Sequence, residues 1–248
     1  MLKAYLRDKH PSTFAIVREL RQAWLHALWT LRRRPYIRRY LARHEVVKLA
    51  IGASHHVREG WLNTDYLPQY RQGIVFLDAT RRFPLADNSV GFIHSEHMIE
   101  HVSIQAAKGM VAECFRVMRP GGVIRTATPD LMHLLRVLTQ PSDPSIATYI
   151  RQINGSSEVP YERERPDSPC IAFNRYMHAW GHQFLFDEST LCTLFEEAGF
   201  VQVQRCAINQ SDHAVFRDAE MRGMSSDAER NAFETMVVEA TKPSAARS

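Results

Sequence analysis

The sequence predicts an α/β fold, a seven-stranded and mostly parallel sheet with helices on both faces. Three observations predict it. From residue 46 onward, short apolar runs alternate with stretches whose apolar residues recur at helical spacing, the pattern of strand–helix–strand units. Four of the early runs stop at a glycine, an acid or a polar residue, as strands do when they leave a sheet toward a ligand. The 248 residues, 45% apolar and 23% charged, are ordinary for a globular chain and enough to bury a full core.

The elements follow in order. Residues 13–43 predict one or two helices, because Phe14, Val17, Trp24, Leu25, Leu28 and Leu31 recur at near-helical spacing. Pro35 is expected to break the run. VVKLAI (46–51) is a strand ending at Gly52, WLNTD (61–65) a second, IVFLD (74–78) a third and VGFIHS (90–95) a fourth. Ser103 is placed to cap a helix with Ala107, Met110, Val111, Cys114, Phe115 and Met118 on one face. Pro120, Gly121 and Gly122 should stop it before a fifth strand, VIRTAT (123–128). Residues 139–180, rich in Pro, Ser and charge, are too long for a simple connection and are expected to be an insertion with structure of its own. Asp187 caps a further helix that Gly199 ends, and FVQVQRC (200–206) and FETMVVEA (233–240) are the last two strands. The expected organisation is a basic helical segment over 1–45, a domain over 46–242 and a tail over 243–248.

The net charge of +4 hides an asymmetry. Residues 1–45 hold 11 Lys/Arg against 3 Asp/Glu, whereas the rest of the chain holds 20 against 24. The domain itself is therefore mildly acidic, and no nucleic-acid partner is expected for it. The basic helix either packs on the domain and caps its site, or rests on an anionic membrane surface or partner. Cys114, Cys170, Cys192 and Cys206 are scattered without a CxxC spacing, which suits reduced thiols. Arg18, Glu19 and Arg21 interrupt any apolar leader, and no run reaches the length of a membrane span. The expected location is cytoplasmic.

The chemistry should lie at the carboxyl ends of the strands, which carry Gly52, Asp65, Asp78 and Ser95-Glu96-His97. A glycine there admits close approach of a ligand to the backbone. An acid ending the second strand can accept from both ribose hydroxyls, and one ending the third can take an adenine amine. The set describes a nucleoside site. A pyrophosphate has no cradle: after Gly52, the later positions of G-x-G-x-x-G hold Ser54 and Val57, and no G-x-x-x-x-G-K-[ST] loop exists. This disfavours NAD and ATP and leaves adenosylmethionine, a sulfonium without phosphate.

The strings KLAIGAS, EGWLNTD, LDATRRFPLADNSVGFIHSEHMIEH and ECFRVMRPGGVIRTATPD, in that order, resemble the class I S-adenosylmethionine-dependent methyltransferases, notably the type 11 group with a G-W-x-N-x-D segment. GHQFLFDESTLCTLFEEAGF and VVEATKP resemble its C-terminal part. The resemblance implies a Rossmann-like methyltransferase fold. It also implies S-adenosylmethionine as cofactor and S-adenosylhomocysteine as product. Gly52 and Ala53, with Ser54 beside them, would then flank the methionine moiety. Asp65 and its neighbour Tyr66 would hold the ribose, Asp78 with Ala79 and Thr80 the adenine, and Ser95 and Glu96 would border the cofactor. Two departures stand out: Gly-Ala-Ser replaces the usual Gly-x-Gly, and only 12 residues separate Gly52 from Asp65. The first crossover helix should shrink to a single turn.

Methyl transfer needs alignment and water exclusion, plus a base if the acceptor is a hydroxyl. His97, then His101, are the candidate bases; four residues apart, they share a face if SEHMIEH is helical. The bland alternative is that this segment braces the loop. His178 and His182 have a zinc-like spacing, but the H-E-x-x-H glutamate is missing and Gly181 weakens a helix. No metal is expected; these two, with Tyr176, are assigned to the acceptor pocket. The expected reaction is methyl transfer to a small-molecule or sugar-type acceptor. The rivals are a binding protein that has lost transfer, aminopropyl transfer without the acidic cluster it needs, and nucleic-acid methylation without a [DN]-P-P-[YF] motif.

Overall fold

The structure is a computed structural model that describes residues 11–220 and 228–244. The first ten residues of the expected basic segment and the last four of the tail lie outside them. In chain order the elements are helix α1 (Pro11–Leu41), strands β1 (Val47–Ile51), β2 (Leu62–Asp65), β3 (Val75–Phe76) and β4 (Val90–Glu96), then α2 (Ile104–Val117) and β5 (Met118–Pro129). Helices α3 (Leu131–Thr139), α4 (Pro144–Gly155), α5 (Pro160–Arg163) and α6 (Pro169–His178) follow. The chain closes with α7 (Glu188–Glu197), β6 (Val201–Cys206), α8 (Ala228–Glu234) and β7 (Thr235–Thr241).

The strands form one sheet in the order β3-β2-β1-β4-β5-β7-β6. All neighbours are parallel except β7, which runs antiparallel to β5 and β6. The order reverses between β1 and β4, so a crevice opens above their carboxyl ends. Because side chains alternate along a strand, the two faces separate cleanly. Leu49, Ile93, Ile124 and Val238 join a large core with Met110 and Cys114 of α2 and Leu191 and Phe195 of α7. Ala50, Val123 and half-buried Phe92 turn the other way, against Trp61, Phe216 and Ala219. Irregular chain over 207–220 thus covers much of that second face.

Two expected boundaries differ. Helix α2 ends at Val117, three residues before Pro120, and β5 begins at Met118. Gly122 lies inside β5, and a Cβ there would meet the Met118 side chain at 2.6 Å and the Gly91 carbonyl at 3.0 Å, so close strand packing explains it. The capping expectations match: Ser103 accepts from Ala106 N (3.3 Å) and Asp187 from Thr190 N (2.8 Å). The first crossover contains turns but no helix, shorter even than the single helical turn expected.

The insertion is helical, which the density of Pro and Ser concealed. Those residues are caps: Asp143 and Ser168 accept from the first turns of α4 and α6, each with a proline in its first turn. Leu134 and Val137 of α3, Ile146, Tyr149 and Ile150 of α4, and Ala172 and Tyr176 of α6 build a second core. This layer rises from the end of β5. Asp130 ties it down by capping α3 (Met132 N, 2.9 Å) while its other oxygen meets Arg205 Nη2 at 2.8 Å.

Helix α1 runs unbroken through Pro35, against expectation. Its inner side lies along the β3 edge, where His26 and Trp29 pack on Phe76 (ring centroids 5.4 and 5.5 Å apart) and the Tyr70 hydroxyl donates to Trp29 O at 3.0 Å. Its outer side exposes Leu20, Trp24 and Leu31. No helix among the described residues is long and apolar enough to cross a membrane. Tertiary packing offsets the missing Pro35 hydrogen bond, which costs about 3 kcal/mol relative to Ala in a helix interior. Pro35→Ala should therefore slow amide hydrogen exchange in the last two turns of α1. Unchanged or faster exchange there would mean that the helix is not continuous.

Candidate functional site

The carboxyl ends of β1, β2 and β4 meet at the crevice, and hydrogen bonds set their spacing. Gly52 leaves β1 with φ +74°, and a Cβ there would meet the Met98 side chain at 2.7 Å. Both facts require glycine. Ala53 N donates to Thr64 O (2.9 Å), and Ser54, at φ +50°, donates its N–H to Asp65 Oδ2 (2.9 Å). Asp65 Oδ1 accepts from Leu67 N (2.8 Å), and the Gln69 amide donates to Ser54 O (3.0 Å). The glycine loop and the acid of β2 are thereby one unit. Each Asp65 oxygen takes one such bond, which leaves a lone pair on each for a ligand.

Asp78 lies beyond β3. Its Oδ1 accepts from Thr80 N (3.0 Å) and Thr80 Oγ1 (2.6 Å), and Arg81 Nε approaches Oδ2 at 3.1 Å. Ala79 is buried, and exposed Tyr66 stands edge-on to His26 of α1 at 5.0 Å. The Gln22 amide donates to the Tyr66 hydroxyl at 3.3 Å. The basic helix therefore flanks the crevice on the side of Asp65 and Tyr66. Gly52, Ala53, Ser54, Arg58 and Glu96 line a cleft together, with His94 at its floor. Ser95, assigned to the same border, points to the opposite face. It is fully buried there, and its hydroxyl has no hydrogen-bond partner.

Beneath the cleft lies a charge network that the sequence reading passed over. Arg125 of β5 is fully buried, and register sets it between His94 of β4 and Glu239 of β7. It forks onto Glu220 (Nε to Oε1 and Nη2 to Oε2, both 2.7 Å), reaches Glu239 Oε1 at 2.6 Å, and donates to the carbonyls of Ala207 and Gln210. His94 Nε2 stands 3.5 Å from Glu220, and Arg58 donates to Ala219 O while lying 3.8 Å from Glu96. Burial opposes ionisation of Glu220, but the hydrogen bonds and charge of Arg125 win and hold its carboxyl at about 2. Burial, with the Arg58 charge, pushes His94 below the usual imidazole value. Complementary charges at one register of three adjacent strands (His94, Arg125, Glu239) were the available signal.

The histidines are corrected most. SEHMIEH is not an α-helix: β4 extends to Glu96, His97 sits at φ +47°, and only Ile99–His101 form a 3₁₀ turn. The His97 ring is buried away from the cleft, with Nε2 2.9 Å from Thr235 Oγ1 and Nδ1 3.2 Å from Glu100 Oε1. Both nitrogens face protein groups, so the geometry supports bracing and gives no support to a base. Burial opposes ionisation of Glu100 as well, yet His97 keeps its carboxyl below the ordinary range, and its Oε2 accepts from Thr128 (3.0 Å). His101 and His182 meet with ring centroids 5.0 Å apart. His182 lies beyond α6, so it shares no helix face with His178. Tyr176 is packed in the second core rather than lining an open pocket.

The family described as methyltransferase domain matches residues 49–126, from β1 through the body of β5. The match spans 78 of the 248 residues, so this part of the chain is similar to that domain. A probable S-adenosylmethionine-dependent methyltransferase of Mycolicibacterium smegmatis is 49% identical over 47 residues, 19% of this chain and 18% of that protein. The matched stretch thus spans under a fifth of that relative's length. Among solved structures, a methyltransferase of Haloferax volcanii in complex with the Trm112 activator aligns over 90% of this chain and 97% of its own, at 14% identity and TM-score 0.46. A SAM-dependent methyltransferase of Archaeoglobus fulgidus aligns over 93% and 100%, at 14% and 0.45.

The charge network gives the fold a defined response to acid. The unfolded chain binds protons at its histidines below about pH 6.5 and at its glutamates below about 4.5. Folded His94 and Glu220 resist until lower pH. Stability should therefore fall as pH drops through 6.5, and fall again between 4.5 and 2. Urea midpoints measured against pH will show this, and Glu220→Gln should flatten the lower limb; a limb as steep in the variant would contradict the assignment.

Proposed function

We propose that the protein transfers a methyl group from S-adenosylmethionine to a small-molecule or sugar-type hydroxyl. One observation carries the reading. The hydrogen bond from Ser54 N to Asp65 Oδ2 joins a phosphate-free glycine loop to a carboxylate with an open lone pair on each oxygen. That is what a nucleoside with two vicinal hydroxyls needs, and the loop lacks the later glycines of a pyrophosphate cradle. The residues present fit the cofactor: Asp65 would hold the ribose, Asp78 the adenine, and Gly52 and Ala53 would lie along its methionine part.

When bound, the cofactor supplies a methyl on a sulfonium, a good leaving group. The chain's part is then to orient and to exclude water. Asp65 is pre-set by the Ser54 and Leu67 amides, so it need not reorganise on binding. Met98 packs against Gly52 and leaves room for no side chain there. With His97 turned inward, half-buried His56, which lines the cleft, is an imidazole at this end of the sheet placed to take an acceptor proton.

Binding without transfer is a second reading, favoured by the packing of Met98 on Gly52 and the helix-free first crossover. Calorimetric titration separates the outcomes. S-adenosylmethionine and S-adenosylhomocysteine should both bind, and Asp65→Ala should weaken both about 10- to 100-fold, the worth of hydrogen bonds to a charged group. Absence of binding at millimolar ligand would overturn the cofactor assignment. Binding of both ligands without methyl consumption across hydroxyl acceptors would select the second reading.

A further inference from the structure

Outside the cleft, one cluster carries chemistry that the cofactor reading does not use. Glu100, His101 and His182 each present a ligand atom within 4.8 Å of the other two. We propose that these three side chains form a divalent transition-metal site that clips the chain after α6 onto the end of β4.

The backbone already brings the ligands together. Gln183 N and Phe184 N both donate to Glu100 O (2.8 and 3.2 Å), and the Gln183 amide donates to His101 O (2.8 Å). His182 is therefore strapped across the Glu100–His101 turn before any ion arrives. Its Nδ1 lies 2.7 Å from Tyr176 O. A carbonyl only accepts, so Nδ1 carries the proton and Nε2 keeps the lone pair. A donated second N–H that orients the ring is the usual support of a metal-bound imidazole.

Glu100 supplies the charge. It is fully buried, its Oε2 accepts from Thr128 (3.0 Å), and its Oε1, 3.2 Å from His97 Nδ1, has no aligned donor among the described residues. An orphaned carboxylate oxygen inside a protein is costly, and a cation facing it removes that cost. Two imidazoles and one carboxylate suit zinc, iron or cobalt, with positions left open for solvent. Ligand atoms around such an ion stand about 3.3 Å apart, so the cluster has to contract by up to about 1.5 Å. His101 and His182 are half-buried, which gives the ion a path from solvent.

The test uses the full chain, stripped with chelator and titrated with zinc chloride, without cofactor or acceptor, so it stands apart from the methyl-transfer reading. One zinc per chain should bind. At 100-fold excess over Kd the thermal midpoint should rise by about 5–10 °C. Cobalt chloride should give a visible band of four- or five-coordinate intensity. His101→Ala and His182→Ala should each weaken binding at least tenfold and abolish the midpoint rise, while His213→Ala, far from the cluster, should keep both. No stoichiometric binding at micromolar zinc would overturn the proposal, as would affinity unchanged in both His101→Ala and His182→Ala.

Discussion

A guanidinium in the middle of a sheet cannot be left to apolar neighbours, and Arg125 occupies that position here. Taking a charge of this kind out of water costs several kcal/mol unless every donor finds an acceptor. Arg125 is met by two carboxylates and two carbonyls. Glu220 and both carbonyls come from the irregular 207–220 segment. That segment has no helix of ordinary length to pin it, so the ion pair does. Ala219 and Phe216, brought down with it, complete the apolar cover over Ala50 and Val123. The floor of the cleft thus depends on a charge that sits one strand away from it.

The same network reaches the site through His94 and Arg58. Arg58 belongs to the short crossover between β1 and β2, where a helix would ordinarily brace the glycine loop. In its place, Arg58 anchors the crossover to Ala219 O, and Asn63 holds it from below by accepting from Arg58 N at 2.9 Å. The degenerate glycine loop and the missing helix are therefore compensated by side-chain bonds. A loop of this length keeps its shape because Asp65, Asn63 and Arg58 each tie it to something rigid.

On the opposite face a second set of polar groups, His97, Glu100, Thr128 and Thr235, joins the end of β4 to β5 and β7. Its existence explains why His97 tolerates a left-handed backbone. Turning inward places the ring between Glu100 and Thr235, and those contacts offset the strain. The spacing of His97 and His101 reads as helical in the sequence, yet the chain leaves a strand there and has room only for a 3₁₀ turn.

The sequence by itself determined the seven strands to within a few residues, the caps at Ser103 and Asp187, and the placement of Gly52, Asp65 and Asp78 at strand ends. These are local properties: apolar runs, turn residues and capping oxygens act within a few positions of themselves. It misread Pro35, because an exposed helix docked by its other face can absorb a missing hydrogen bond. It left 139–180 unassigned, because capping prolines and serines read as loop until the helices they start are seen to share a core. Only the tertiary structure decided that Arg125 meets Glu220, that Ser95 and His97 face away from the cleft, and that His182 lies against Glu100 and His101. Each of those outcomes depends on pairing across some 80 residues or more, or on which face of a sheet a strand presents. Burial and ion pairing across the assembled chain decide that, and no short-range pattern carries it.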